Sequence, residues 1–180
     1  MRRSDLVSDC DNCSGLCCIA FAFDASEDFA INKPAGVRCP HLGRDCRCDI
    51  HGELATRGFA GCVVFDCYGA GSQLTRVLHG VKTADARAQA WFSCLRVVHE
   101  LLWLVTEAAK LCPPQQVELS AELARETVVL ETLAVEPFES LRHVDLAAHE
   151  LRVRACLRRM GAALGGRRAL PVIASGPRVA

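Results

Sequence analysis

A chain of 180 residues, 51% of them hydrophobic, suits one domain or a small domain with a helical extension. The 21 basic and 21 acidic side chains leave a formal charge of zero, so no overall field draws the chain to nucleic acid or an anionic membrane. The longest apolar run, Leu101 to Val105, lies between Glu100 and Glu107 and is far short of the ~20 residues that a membrane span needs.

Arg2 and Arg3 are followed by no apolar stretch, so no secretory or twin-arginine signal is read there, and a reducing, cytoplasmic compartment is expected. In such a compartment clustered cysteines bind metal or do redox chemistry more often than they form disulfides. Nine of the 12 cysteines fall between Cys10 and Cys67, in three bursts. The first holds Cys10, Cys13, Cys17 and Cys18. Cys39, Cys46 and Cys48 make the second, closed by His51, and Cys62 and Cys67 make the third. Between the first two bursts, Ile19, Phe21 and Phe23 alternate as in one short strand. Ser26-Glu27-Asp28 suits a helix start or turn, and Lys33-Pro34-Ala35-Gly36 reads as a turn. So little apolar material needs a metal or disulfide staple.

Residues 71–82 read as a connector between a head, 1–70, and a helical region, 83–164, with a flexible basic tail over 165–180. Thr83 is the expected N-cap of the first helix, with Asp85 in its first turn. Trp91, Leu95, Val98, Leu102, Val105, Ala109 and Cys112 recur at helical spacing, and Pro113-Pro114 ends the run. A second helix, 117–133, turns Leu119, Leu123, Leu130 and Leu133 inward and Glu118, Glu122, Glu126 and Glu131 outward. Pro137 opens a third, with Leu141, Val144, Ala148 and Leu151 in one stripe and Leu146, Val153, Cys156 and Met160 in another. Short links between three amphipathic helices favour an antiparallel bundle. The expected fold is therefore mainly α, an irregular metal-stabilised cysteine-rich head followed by an antiparallel three-helix bundle.

Zinc takes four tetrahedral ligands drawn from Cys and His, and iron–sulfur clusters also use four thiolates. The bursts could fill one or two such sites. Their arrangement, C-x2-C-x3-C-C, C-x2-L, C-x-I-[YH] and C-x2-[FY]-x-C, resembles the YkgJ-type cysteine-cluster proteins, a zinc- or iron-chelating family. It is met by Cys10, Cys13, Cys17 and Cys18, by Cys39 with Leu42, by Cys48 with Ile50 and His51, and by Cys62 with Phe65 and Cys67. The chain departs from that family around the third burst, with Arg57-Gly58-Phe59 and Val63 where the family shows Arg-Pro and Arg. The phrases FAINKPAGVRCPHL, CDIHGEL, GFAGCVVFDCYGAG and HELLWLVTEA resemble the N-terminal region of actinobacterial pentapeptide-repeat proteins, although the repeats themselves are absent. Both resemblances imply the same eight metal ligands: Cys10, Cys13, Cys17, Cys18, Cys39, Cys48, Cys62 and Cys67. Cys46 falls outside the pattern, His51 is read as a packing or outer-sphere residue, and His41 as an exposed turn residue.

Cys94, Cys112 and Cys156 lie on apolar helical stripes and read as core residues. His99-Glu100 fails as an H-E-x-x-H zinc motif because position 103 is Trp. The arginines at the end of the chain have no interleaved aromatics, which argues for a solvated face over a nucleic-acid surface. Eight thiolates on two divalent ions would leave about −4 on the head, because ligand cysteines bind deprotonated. The late arginines are candidate counter-charges. The reading is of a non-enzymatic, cytosolic zinc module with two four-cysteine sites and a helical region open to a protein partner. An iron–sulfur or thiol redox protein, reacting through Cys17, Cys18 and Cys46, is the alternative, as is storage or delivery of a soft ion such as copper(I).

Overall fold

The structure, a computed structural model, describes residues 3–78 and 85–165. The chain falls into two compact units, one up to Arg96 and one from Val97 onward. The fold is mainly α-helical: among the described residues no β-strand forms, and extended pairing is limited to isolated bridges at Phe23–Lys33 and Leu42–Cys48.

In the first unit the helices are short. The first helix, α1 (Leu16–Ala20), follows Gly15, whose φ of 73° turns the chain; a side chain there would also run into Leu42, 2.7 Å from the Cβ position. The expected strand at Ile19–Phe23 is thus half helix: Ile19 belongs to α1, and Phe23 alone pairs, with Lys33. Phe21 leaves α1 extended and meets the rings of Phe65 at 5.4 Å and Phe92 at 5.7 Å, and the core beneath is Leu16, Ile19, Leu74 and Phe92. Phe23 stacks on Phe29 at 4.5 Å, and the absent side chain of Gly61 gives that ring its place against α2 (Ala60–Val64). The expected connector is partly helix, α3 (Ala70–Leu78). Leu74 is its buried anchor, at 0% exposure.

Helix α4 (Ala86–Leu111) begins in this unit and ends in the other. Asp85 caps it, accepting from the Arg87 amide at 2.9 Å, while the expected cap Thr83 lies outside the described residues. Its buried face runs through Phe92, Leu95, Val98, Leu102 and Val105, so Phe92 rather than Trp91 is the deep aromatic. Cys112 is half-buried and Ala109 exposed, because the face ends one turn before the helix does.

In the second unit α5 (Val117–Leu133) packs on α7 (Leu146–Ala163). Leu119, Leu123 and Leu130 are fully buried as expected, while Leu133 is half-buried and Ala134 takes the closing position. The third expected helix is two. After Pro137 comes a single turn, α6 (Phe138–Leu141), and then Asp145 accepts from the Ala148 amide at 3.0 Å and starts α7 afresh. That restart settles which stripe faces inward: Val153, Cys156 and Met160 are buried, whereas Leu151 is 67% exposed. Cys156 packs as expected. Arg159 pairs with Glu122, and Arg152 and His149 with Glu126, so the two helices run antiparallel. Arg154 pairs with Glu150 on its own helix. The candidate counter-charges Arg152, Arg154 and Arg159 thus have carboxylate partners on the helices themselves. The expected tail beyond Gly165 lies outside the described residues.

A cavity lined by nine thiols

All 12 cysteines are free thiols, and the nine between Cys10 and Cys67 line one cavity of about 780 Å³. Cys94, Cys112 and Cys156 take no part in it. The bursts are brought together by backbone bonds. Asp9 caps the 3-10 turn Cys10–Asn12 and leads to Cys13. The α1 turn then presents Cys17 and Cys18, with sulfurs 3.9 Å apart. The Cys39 amide donates to the Cys18 carbonyl at 3.0 Å, tying the second burst to the first, and the Leu42–Cys48 bridge closes the loop that carries Cys48. Arg47 on that loop bonds the Asp11 carboxylate and, at 3.2 Å, its carbonyl. Cys62 lies on α2. Cys67 is fixed by Ser8, whose Oγ accepts from the Cys67 amide at 3.1 Å, lies 3.1 Å from its Sγ, and donates to Asp66 at 2.6 Å.

Gly71 marks where sulfur crowds the backbone. A Cβ at that position would lie 2.8 Å from Cys13 Sγ and 3.6 Å from Cys67 Sγ, so only glycine gives both thiols room at the first turn of α3. Cys46 also lines the cavity and holds a left-handed backbone, φ 66°. His41 is half-buried, edge-on to Phe59 at 5.1 Å, so the expected exposed turn residue packs instead. His51 lines the cavity from an exposed position.

Burial and mutual repulsion hold most of these thiols protonated. Burial pushes Cys62 up to about 12, helped by Cys18, Cys39 and Cys48, and Cys10 up to about 11, helped by Cys67 and Cys13. Cys13, Cys39 and Cys48 are raised by burial too. Between the neighbours on α1 the proton stays on Cys17, which is raised by its bond to Cys18. Cys18 is drawn down to about 7 by the same bond, against its burial and with help from Lys33 and Arg38.

Lys33 went unread in the sequence as anything but part of a turn. It is 4% exposed, and its ammonium donates to four backbone carbonyls, those of Phe21, Val37 at 2.8 Å, Pro34 at 3.1 Å and Ile19 at 3.2 Å. The Phe23 ring lies 4.8 Å away. No carboxylate is among these contacts. Burial lowers its pKa, while Cys39, Cys18, Cys17 and Cys62 oppose that shift. Ser8 and Gly71 were likewise unread. Gly71, close after the third burst, read only as the start of a connector, and of the two glycines there it alone makes room for sulfur.

Among the described residues no three Cys, His, Asp or Glu side chains stand close enough to clasp an ion as they are. Donor type and donor number nevertheless fit a soft ion. Nine unbridged thiols share one cavity, and a glycine keeps space for two of them. The spacing is that of an open cavity rather than a closed tetrahedral site.

The chain is 35% identical over 114 residues to the uncharacterized protein YybG of Bacillus subtilis (strain 168), a match that takes in 59% of this chain and 40% of that protein. The chain thus spans well under half the length of this relative. No protein-family model matches it, and no solved structure does. Among the described residues no helix is long and apolar enough to cross a membrane.

Proposed function

We propose that the cysteine-rich head is a non-enzymatic binding module for a soft metal ion, zinc before iron, held by Cys10, Cys13, Cys17, Cys18, Cys39, Cys48, Cys62 and Cys67 in two four-thiolate sites. The observation that carries this reading is the nine free thiols around one cavity, with a buried ammonium beside them whose hydrogen-bond partners are four backbone carbonyls. A buried cation is costly unless an anion balances it, and thiols become anions when they ligate a metal. Lys33, and Arg38 beside Cys18, would then offset the negative charge that four thiolates leave on a divalent ion. Once bound, zinc would supply folding free energy by cross-linking the three bursts.

The resemblance to the YkgJ-type cysteine-cluster proteins and to the heads of pentapeptide-repeat proteins supports the same ligand set. On this reading the helices α4, α5 and α7 form an antiparallel bundle that serves as an interaction region in the cytoplasm. Val117, Val128 and Val135, at 72, 63 and 76% exposure, give it apolar surface for a protein partner.

Metal content and visible absorption of protein purified without oxygen test this reading. About two zinc ions per colourless chain are expected. Brown protein with iron and acid-labile sulfide would replace it by the iron–sulfur alternative, and more than about four copper(I) ions by storage.

A further inference from the structure

We propose that Cys17 and Cys18 form a dithiol site for a monosubstituted trivalent arsenical, the arsenic bridging the two sulfurs and its organic group lying among the phenyl rings of the cavity. The pair is set by the fold. Leu16 and Ile19, at 0 and 1% exposure, are buried at one turn's spacing and leave Cys17 and Cys18 between them to line the cavity. The Cys39 amide donates to the Cys18 carbonyl at 3.0 Å, and the two sulfurs lie 3.9 Å apart. Consecutive Cα atoms stand about 3.8 Å apart, below the roughly 4.4–6.8 Å usual for a disulfide. The pair is therefore disposed to stay a dithiol.

The 3.9 Å gap selects what can bridge it. Soft centres bond sulfur at about 2.3 Å, which sets two sulfurs about 3.3–3.8 Å apart at bond angles of roughly 90–110° and about 4.6 Å apart when linear. A pyramidal centre needs the pair to close by well under an ångström, whereas a linear two-coordinate ion would force it open. A tetrahedral ion needs two more thiols, and among the described residues no three Cys, His, Asp or Glu side chains stand close enough to clasp an ion as they are. Arsenic(III) bearing one carbon group takes two sulfurs and no more. The cavity of about 780 Å³ gives the carbon group its place. Phe21, Phe23, Phe29, Phe59 and Phe65 line it, while its charged lining residues Asp9, Asp11 and Arg47 are exposed. The step is a condensation without redox change. An arsonous acid, with one carbon group and two hydroxyls on arsenic, meets the two thiols. Both As–O bonds break, two As–S bonds form, two waters leave with the thiol protons, and arsenic stays trivalent.

Phenylarsonous acid added to the full chain, purified without oxygen, tests the site. At one equivalent the remaining thiols are alkylated in denaturant with a zinc chelator and mapped by mass spectrometry. Cys17 and Cys18 should be the pair left unalkylated, with one phenylarsenic unit across them. Arsenic across any other pair, or none retained, overturns the proposal. C17S and C18S should each weaken binding about hundredfold, because a single sulfur loses the gain of chelation, whereas C46S should leave it unchanged. A loss in C46S equal to that in C17S also overturns it. An analogue with a carboxylate on the ring should bind the folded chain about tenfold more weakly than the plain phenyl compound, and equally well in denaturant. Equal affinity for the folded chain overturns the place given to the organic group. Cys17 and Cys18 also belong to the proposed zinc ligands, so zinc-loaded protein should release zinc as it takes up the arsenical. Protein that carries no zinc yet takes one arsenical at this pair supports the dithiol site and defeats the zinc reading alone.

Discussion

The two units of this chain differ in how much regular structure surrounds their buried side chains. From Val97 onward the molecule is a conventional helical packing problem: Leu119, Leu123 and Leu130 on α5 are buried, as are Val153 and Met160 on α7, and ion pairs line the seam. Up to Arg96 regular structure is sparse. Short turns bring nine thiols around one cavity, and among the described residues of this unit the one buried charged side chain is a lysine held by carbonyls. Apolar burial is a property of many residues at once and degrades gradually. A donor cavity depends on a few atoms and is either organised or not. The first unit still buries apolar side chains of its own, among them Leu16, Ile19, Phe21, Leu42, Phe59, Leu74 and Phe92, so its cavity of thiols is built beside a core and not in place of one.

Removing metal should break the contrast most visibly. With a strong chelator, hydrogen exchange in the segments around Cys13, Cys39 and Cys62 should rise toward that of an unfolded chain while the α5 and α7 amides keep their protection; structural zinc in small domains is worth about 10 kcal/mol or more. Head amides that stay protected without metal would show that both units rest on apolar packing. The converse substitution acts on the other side. Leu123→Ala, at a position of 0% exposure, should cost the helical unit about 2–5 kcal/mol in denaturant unfolding and leave metal content unchanged. Loss of metal in that variant would mean that the units are not energetically separable.

The smallest effect is electrostatic. The Glu122 carboxyl is held below its ordinary value by the hydrogen bond from Arg159. Its contribution is therefore present above the unfolded-state carboxyl pKa and is lost as pH falls through the lower folded value. Both groups are open to solvent, so the change is slight and salt should weaken it. Thermal unfolding of wild type and Glu122→Gln should converge at acid pH and separate only above the carboxylate range. A separation that persists below that range would assign the difference to packing.

How much of this was legible in the sequence follows from what kind of interaction was involved. The α5 leucines and the Val153–Cys156–Met160 face announce themselves by spacing, because burial acts on side chains and side chains are what a sequence displays. Leu151 misled because the choice between two adjoining stripes belongs to Asp145, which restarts the helix and sets its rotation. In the head, the cysteine bursts were visible as donors, and the structure gathers all nine to one cavity. Which sulfur neighbours which was not visible, since it depends on backbone bonds such as Cys39 to Cys18. The glycines around residue 70 read as a connector, yet Gly71 lies inside α3 and is small because sulfur needs the space. Lys33 was opaque for the same reason as the pairing: its partners are main-chain carbonyls, which every residue has.

That lysine also changes what the segment from Ile19 to Val37 is. Four carbonyl oxygens turned toward one point make an ionophore, and here the ion arrives on the tether of its own side chain. The loop therefore carries its guest with it from synthesis onward. The ring of oxygens lies within the longer stretch, Cys10 to Cys67, whose sulfurs line the cavity, and the tethered ion fills that ring without any partner from outside.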